Sequence, residues 1–290
     1  MSPTAPRLAR RINAWYRRHA RPFPWREPDT TAWGILLIEV MSQQTQIERA
    51  ATAWFDWIAR WPTPADLAAA SQAEVLRAWD RLGYPRRALA LHRAAAIIAE
   101  RHDGKVPADL DALLALPGIG PYTAGAVAAF AHGIRTPVVD TNVRRVLART
   151  MLGVAGLTPN TRRDHELMAT VLPASGPAAR TFNAAAMELG ALVCTARTPD
   201  CDACPVAALC GWRAAGYPAA EAPTRPQPRF EGSDRQMRGR VMAALRAAPG
   251  GVAREELDAV ATDAGQLERA LTGLLTDGLA VRIPGGYALP

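Results

Sequence analysis

Four cysteines lie close together in the second half of the sequence. Their spacing is C-x6-C-x2-C-x5-C, and the sequence contains no others: Cys194, Cys201, Cys204 and Cys210. Since no cysteine remains elsewhere for a distant disulfide, the four thiolates suit one soft metal centre. Structural zinc sites usually pair two C-x2-C knuckles, whereas this segment has one knuckle flanked by longer loops. The spacing therefore favours an iron–sulfur cluster, with zinc as the alternative.

Two acidic residues lie within or next to apolar segments, where a charged side chain is unusual. Glu39 interrupts the apolar run Ile35–Met41, so its side chain either reaches a solvated helix face or is buried, and burial would suit a general acid. Asp140 follows the apolar pair Val138-Val139 and precedes an apparent helix, where capping that helix is the ordinary role of an aspartate. From the residues alone, a catalytic and a structural role stay open for each carboxylate.

Two further features could bind phosphate. The segment LPGIGPYTA, residues 116–124, separates two apolar helical stretches, and its Gly118 and Gly120 would let the backbone approach a ligand. The helix that follows would present free N–H groups to an anion, although an ordinary tight turn between helices is the alternative. Arg197, in the loop between the first two cysteines, could contact another phosphate.

The elements that must position these residues are mainly helical. Apolar residues recur at helical spacing over residues 5–212, which predicts about ten helices joined by short loops. Residues 216–229 are rich in Pro and Ala and indicate a linker. Residues 230–290 predict a winged-helix-like α/β module of three helices and a hairpin, placed as follows: Asp234–Ala247, Arg254–Ala261, Ala264–Asp277 and a turn at Pro284-Gly285-Gly286. The net charge of this module, −1, is weak for a DNA reader, so a protein-contact or structural role is equally open.

Composition favours a polyanionic partner. The 290 residues are 49% hydrophobic and carry a net charge of +7, with seven arginines and no acid in residues 1–26. A solvated basic face is the alternative. No apolar run reaches bilayer length and the N-terminus lacks a signal-like apolar stretch, so we expect a soluble cytoplasmic chain without membrane association. The single lysine, Lys105, leaves almost no amine for Schiff-base chemistry.

Together these features resemble the helix-hairpin-helix glycosylase superfamily over roughly residues 7–212. Within the superfamily, the sequence is similar to the MutY-type adenine DNA glycosylases in four motifs: Pro24-Trp25-Arg26, EVMSQQTQ at 39–46, Leu82-Gly83-Tyr84 and Met187-Glu188-Leu189-Gly190-Ala191. The resemblance implies a mainly α fold in which residues 1–215 form the glycosylase region. It also implies a monomer that acts on double-stranded DNA with a mismatched or damaged base pair, with nucleoid-associated activity.

The family fold has two domains, with DNA gripped between them and the target nucleotide flipped into the cleft. On this chain the six-helix barrel would comprise about residues 27–135. The cluster domain would comprise residues 1–26 together with 136–215, and its four cysteines would hold a [4Fe-4S] cluster.

The resemblance also implies a role for each matched residue. Glu39 would protonate the departing adenine at N7, and Asp140 would stabilise the cationic sugar or trap it covalently before water attacks. Tyr122 and Asn142 would support the transition state, and Glu188 would read the adenine edge. The other matched positions would contact DNA or the base: Arg21, Trp25, Gln44, Tyr84, Gly118, Gly120 and Arg197.

Gln44 and Tyr84 would enter the base stack, fill the vacancy and probe the opposite base. Without the resemblance, a helix-surface amide and a core tyrosine would be their ordinary roles. Two neighbours depart from the family pattern, because Ser42 stands where leucine is frequent and Pro85 replaces a second aromatic residue. The winged-helix-like module is a third departure, since many relatives carry a hydrolase-like domain there that reads 8-oxoguanine.

The favoured function is therefore monofunctional removal of adenine mispaired with 8-oxoguanine or guanine. Tyr122 stands where strand-nicking relatives use lysine, and a phenol cannot form an imine. The nearest alternative is a uracil or thymine mismatch glycosylase of the same fold, which Ser42 leaves open and Glu188 disfavours. A non-enzymatic, metal-containing DNA-binding regulator ranks third, because an acid buried at Glu39 would be costly and unnecessary for it.

Overall fold

The computed structural model describes residues 4–219, 229–261 and 263–290, and these residues are mainly helical. The helices are α1 Thr4–His19, α2 Ala32–Met41, α3 Ile47–Arg60, α4 Pro64–Ala69, α5 Gln72–Trp79, α6 Arg86–Arg101, α7 Leu110–Leu114, α8 Pro121–Phe130, α9 Thr141–Leu147, α10 Thr161–Val171, α11 Gly176–Leu192, α12 Gly211–Ala214, α13 Asp234–Ala247, α14 Arg254–Val260 and α15 Ala264–Thr276. The strands are β1 Val252–Ala253, β2 Val281–Ile283 and β3 Gly286–Ala288. Short 3₁₀ turns cover Pro24–Arg26, Asp80–Leu82 and Ala207–Leu209, and Ala148–Leu152 forms a π-helical turn. The predicted fold class is confirmed, and no helix in the described ranges is long and apolar enough to cross a membrane.

The chain forms two compact units. Within the described residues, the first unit comprises 4–36, 107–115 and 119–219. The second comprises 37–106, 116–118 and the described part of the C-terminal module. Both hairpin helices therefore group with the first unit, whereas the family resemblance places them in the barrel. The domain boundaries inferred from the sequence stay a prediction.

The core of the first unit forms where the N-terminal helix packs on the segment that ends in the cysteines. In α1, Leu8, Ile12 and Trp15 recur at helical spacing and are buried. They belong to one apolar cluster with Val143 of α9 and Phe182 of α11. This packing explains why a basic N-terminal segment is helical and fixed: its arginines lie on the face opposite a buried apolar stripe.

The second unit is built around tryptophans. Trp57 of α3 lies edge-on to Trp61 and Trp79, at centroid distances of 4.8 and 5.5 Å, and donates from Nε1 to Ala78 O at 3.1 Å. Capping boxes begin α4 and α5, in which Thr63 and Ser71 exchange hydrogen bonds with Asp66 and Glu74. These local signals fix the start of both helices that pack against α6.

The C-terminal module has the predicted winged-helix layout. Its three helices lie within one residue of the predicted bounds, and β2 and β3 form the predicted hairpin around Pro284-Gly285-Gly286. The sequence reading missed β1, which pairs antiparallel with β3 to give the sheet order β1-β3-β2. A strand of two residues is too short to show alternation, so hydrophobic periodicity could not reveal it.

Candidate active site and iron–sulfur centre

The four cysteines line one cavity of about 390 Å³, part of which is open to solvent. Burial, together with the charges that the other three thiolates would carry, raises the pKa of the Cys204 thiol to about 11. Burial likewise raises the pKa of Cys194, against the effect of the nearby Arg149. Thiolates that line one cavity repel one another unless a cation binds them, so the donor set fits a metal–sulfur group.

Arg149 anchors the loop that begins at Cys194. Only 4% of Arg149 is exposed. Its guanidinium donates to Thr195 O at 2.7 Å, to Ala196 O at 3.1 Å and, more weakly, to Cys194 Sγ at 3.4 Å. It also lies 4.4 Å from the centroid of the Trp212 ring. The exposed Arg197 follows in the same loop, so Arg149 fixes the base of the segment predicted to meet a phosphate.

Asp140 is held in one orientation at the N-terminus of α9. Its Oδ1 accepts from Val143 N at 2.7 Å, which makes it the N-cap, and its Oδ2 accepts from Asn142 Nδ2 at 2.9 Å. Arg145 in turn donates to Asn142 Oδ1 at 2.8 Å and to Cys194 O at 2.7 Å. A chain of side-chain hydrogen bonds thus connects the predicted catalytic aspartate with the cysteine segment. Capping and catalysis are compatible roles for Asp140, because the cap fixes the carboxylate.

Burial raises the pKa of Asp140 above its ordinary value, and hydrogen bonds from Val143, Asn142 and their backbone only partly offset this effect. A carboxylate in such surroundings is poorly solvated. It would interact strongly with a positive charge that forms beside it. This environment suits stabilisation of a cationic sugar.

Gly190 allows α11 to approach Asn142, a requirement that sequence reasoning missed although the residue stands in a quoted motif. A Cβ at this position would lie 2.7 Å from Asn142 Cβ and 2.9 Å from Asn142 O. Both distances are shorter than real Cβ contacts, so Asn142 or its backbone would have to move. The close approach explains why a helix former is absent at this point of α11.

We expect Gly190→Ala to lower the rate of the catalysed reaction by about tenfold or more, because it displaces the residue that orients Asp140. Forced overpacking of this kind costs about 1–3 kcal/mol of folding stability. The matched control is Gly156→Ala in the same unit, where an added Cβ meets nothing within 4 Å. Single-turnover rates and thermal melting of both variants measure the effect. A Gly190→Ala rate equal to that of Gly156→Ala would show that Asn142 does not depend on this contact.

Glu188 is 1% exposed and pairs with two arginines of the N-terminal segment. It accepts from Arg21 Nε at 2.8 Å and from Arg26 Nη2 at 3.0 Å. Burial alone would raise its pKa, but the hydrogen bonds from Arg21 and Arg26 hold the pKa of Glu188 below its ordinary value. The carboxylate is therefore ionised at neutral pH and holds both arginines. Trp25 lies in the same turn, where its ring stacks on Phe23 at 4.8 Å.

The hairpin glycines differ in what surrounds them. Gly118 has φ of 77°, and a Cβ there would lie 2.7 Å from Ala90 Cβ, so the turn itself requires glycine. Gly120 begins α8 as its N-cap, and a Cβ there would meet nothing within 4 Å. The backbone at Gly120 is thus open to an approaching ligand. Tyr122, in the first turn of α8, packs half-buried against the small apolar cluster that contains Val138.

Glu39, Gln44 and Tyr84 belong to the second unit. Glu39 is half-buried in α2, between fully buried neighbours. Gln44 lies exposed in the turn after α2, and Tyr84 is 56% exposed before α6, so neither has the ordinary role of a helix-surface amide or a core tyrosine. Both have positive φ, 54° and 47°, which is strained for residues with a side chain. The backbone therefore presents both side chains outward at an energetic cost.

Arg87, which sequence reasoning did not select, ties these two turns together. Its Nη1 donates to Val40 O at 2.6 Å, at the end of α2. Its Nη2 donates to Leu82 O at 3.0 Å and to Gly83 O at 3.1 Å, in the turn that carries Tyr84. Burial lowers the pKa of Arg87, and the carbonyl groups around the guanidinium compensate for the lost water.

Comparison with known proteins identifies the family of this chain. Residues 37–166 match the family model of the HhH-GPD superfamily of base excision DNA repair proteins, and residues 194–210 match that of the iron-sulfur binding domain of endonuclease III. The chain is 51% identical to an adenine DNA glycosylase of Mycobacterium tuberculosis, over 100% of this chain and 96% of the relative. It is 41% identical to the Homo sapiens adenine DNA glycosylase, over 68% of this chain and 38% of the relative.

Two solved structures share the fold. One, of a thermostable thymine-DNA glycosylase, has a TM-score of 0.67 at 26% identity and covers 73% of this chain and 97% of its own. The other, of endonuclease III trapped covalently on DNA, has a TM-score of 0.61 at 21% identity and covers 73% of this chain and 98% of its own. The chain therefore belongs to the HhH-GPD superfamily of base excision DNA repair proteins and, within it, to the adenine DNA glycosylases. Its cofactor is an iron–sulfur cluster, as the cysteine spacing predicted, and the four cysteines lie within the matched residues 194–210.

We expect about four irons per chain in native protein, together with broad visible absorption, because four cysteines are the ligand set of a [4Fe–4S] cluster. Metal analysis of anaerobically purified protein, with parallel determination of acid-labile sulfide, measures the stoichiometry. Stoichiometric zinc without iron would contradict the cluster assignment. Replacement of the half-buried Cys204 by Ser should lower the iron content and the visible absorption together.

Proposed function

We propose that this protein hydrolyses the N-glycosidic bond of adenine mispaired with 8-oxoguanine or guanine in double-stranded DNA. The observation that carries the proposal is the orientation of Asp140: a poorly solvated carboxylate fixed by Asn142 and Val143. The identity of half the residues with adenine DNA glycosylases over the whole chain supports the choice of base. The protein would act as a monomer on DNA in the cytoplasm, at the nucleoid.

In this mechanism Glu39 supplies the proton and Asp140 supplies the negative charge. Protonation of adenine at N7 by Glu39 makes the base a better leaving group at neutral pH. As the bond to the base breaks, positive charge develops on the sugar, and the Asp140 carboxylate stabilises it or adds to it covalently. Water then attacks the sugar, the free base leaves, and an abasic site remains. The iron–sulfur cluster would link the four cysteines and hold their loop in shape.

The other residues would bind and orient the DNA. Gly120 and the first turn of α8 offer backbone N–H groups to a phosphate. Arg197 would contact a second phosphate. Gln44 and Tyr84, held outward by their turns, would enter the base stack. Glu188 would act on the adenine edge through Arg21 and Arg26, because its buried carboxylate oxygens already accept hydrogen bonds from both arginines.

The experiment that tests the function is a single-turnover assay of base release. The duplexes contain adenine, uracil or thymine opposite guanine or 8-oxoguanine. The enzyme is in excess over the DNA, at a concentration that saturates binding. Release of adenine at least about a hundredfold faster than of either pyrimidine supports the proposal. Preferential release of uracil or thymine would instead favour the alternative to which the likeness to a thymine-DNA glycosylase points. Ser42 bears on this choice because it stands three residues after Glu39, where leucine is frequent in the family.

We expect the protein to release the base without cutting the strand. Strand cleavage through an imine needs an amine at the sugar, whereas Tyr122 offers a phenol and the only lysine, Lys105, lies outside the hairpin. Arginine does not substitute, because its guanidinium stays protonated. Strand breaks should therefore appear only after alkali or an added endonuclease. Borohydride trapping during turnover is the measurement, and efficient covalent capture that survives Lys105→Ala would reveal another amine at work.

A further inference from the structure

The loop between α5 and α6, residues 80–86, is strained at more than one point. Asp80 and Tyr84 have φ of 38° and 47°, and Gly83 between them has φ of 77°. Strained backbone of this kind persists only where the surroundings over-determine it. From within the same part of the chain, Trp79 Nε1 donates to Gly83 O at 2.8 Å, and Arg87 holds the neighbouring carbonyls.

The C-terminal module contacts both ends of this loop. Arg246 of α13 pairs with Asp80 at 3.6 Å, at the beginning of the loop. Asp277, directly after α15, pairs with Arg86 at 3.3 Å, at its end. The exposed Tyr84 ring lies between the two ion pairs in sequence. Helix α13 also packs on α5, so the ion pairs border a packed contact.

In both contacts the module residue is mostly buried, whereas its partners in the loop, Asp80 and Arg86, are 64% and 73% exposed. The Arg246 side chain is only 16% exposed, and burial lowers its pKa while Asp80 opposes that shift. Loss of Asp80 would leave a largely buried cation without its anion, which is unfavourable. Asp277 is held by Arg238 of α13 as well as by Arg86. Asp277 therefore has a partner inside the module, whereas Arg246 is held by its burial and by Asp80 itself.

We propose that the C-terminal module is a brace for the loop that carries Tyr84, with Arg246 and Asp277 as positioning residues. The module restricts where the Tyr84 ring can lie, and so contributes to discrimination of the base opposite adenine. This inference rests on the proposed function of Tyr84 as the probe of that base. It also accounts for a module whose net charge is −1, since a brace needs no phosphate contacts of its own.

The test is a double-mutant cycle in the full-length holoprotein with Asp80→Asn, Arg246→Gln and the combination. Hydrogen exchange of the backbone amides in residues 80–88 reports on the brace itself. We expect about three- to tenfold faster exchange there in each single variant, and no further increase in the double variant. The control is Arg269→Gln, which removes the ion pair of Arg269 with Asp234 inside the module and should leave this segment unchanged.

The second readout is the ratio of adenine release rates opposite 8-oxoguanine and opposite guanine. We expect this ratio to change by about threefold or more in both single variants, again without further change in the double variant. A merely structural role would lower both rates together and leave the ratio unchanged. Unaltered exchange in the single variants, or altered exchange with an unaltered ratio, would overturn the proposal. Absence of adenine release from the wild-type protein would instead contradict the proposed function, while hydrogen exchange would still decide whether the brace exists.

Discussion

Glu39→Gln should reduce adenine release by about 10²–10⁴-fold or more, the usual loss when a general acid is removed. The amide has the size and shape of the carboxyl group, so the half-buried position in α2 keeps its packing between Ile38 and Val40. What disappears is the proton for the departing base. Binding to mismatched DNA should stay within a few-fold of wild type, because the substitution changes no residue that we assign to a phosphate or to the opposite base.

The measurements for Glu39→Gln are a single-turnover rate and an equilibrium binding constant on the same duplex. Glu48→Gln is the matched control, since it makes the same chemical change at an exposed position in the first turn of α3. Near-normal release by Glu39→Gln would remove this residue from the mechanism. A loss of binding as large as the loss of rate would assign Glu39 to recognition and not to proton transfer.

Asp140→Asn should likewise lower adenine release by about a hundredfold or more, because a neutral amide cannot stabilise a cationic sugar through charge. Its effect on stability should be small. The raised pKa of Asp140 means that the folded state binds the proton more tightly than the unfolded chain does. The resulting stabilisation is complete below the unfolded pKa and is lost as pH rises through the folded pKa, so at neutral pH the ionised carboxylate lowers stability. Asparagine removes the cost of burying a charge. It also loses the hydrogen bond from Asn142 Nδ2, because its own amide nitrogen cannot accept one, so the two effects oppose each other.

The same shift predicts a pH dependence. Catalysis needs the ionised form of Asp140. As the pH is lowered, base release should therefore begin to fall at a higher pH than an aspartate with an ordinary pKa would give.

The control for Asp140→Asn is Asp263→Asn, which also changes a capping aspartate: Asp263 accepts a hydrogen bond from Gln266 N at 2.8 Å at the start of α15. Release by Asp140→Asn within tenfold of wild type would show that its role is confined to capping α9.

Short-range features of this fold could be predicted from the sequence. The spacing of apolar residues predicts α1 and the helices of the C-terminal module, because an amphipathic helix buries one apolar stripe whatever element it packs against. The cysteine spacing likewise revealed the metal centre, since ligands close in sequence need little help from the rest of the fold. Asp140 was expected either to cap a helix or to act in catalysis. In the structure it caps α9, and the hydrogen bond of the cap fixes the orientation of its carboxylate.

The residues that sequence reasoning missed act over long sequence distances. Arg149 contacts the carbonyl of Thr195, and Arg87 contacts that of Val40, more than forty positions away in each case. Neither arginine differs in type or spacing from its many solvated counterparts. Gly190 gave a weak signal, a glycine inside a helix and within a recognised motif, but only the close approach of Asn142 explains the need for glycine. Contacts of this kind depend on packing, which local pattern does not encode.

The scarcity of amines has a practical consequence for single-molecule work. Lys105 is the only lysine of the protein, and it is exposed in the turn between α6 and α7. An amine-reactive dye or surface linker therefore has one side-chain target, on a turn outside the hairpin residues 116–124. Once the α-amino group has been blocked, attachment through Lys105 gives a single orientation without an engineered cysteine, which would compete with the four predicted to hold the cluster.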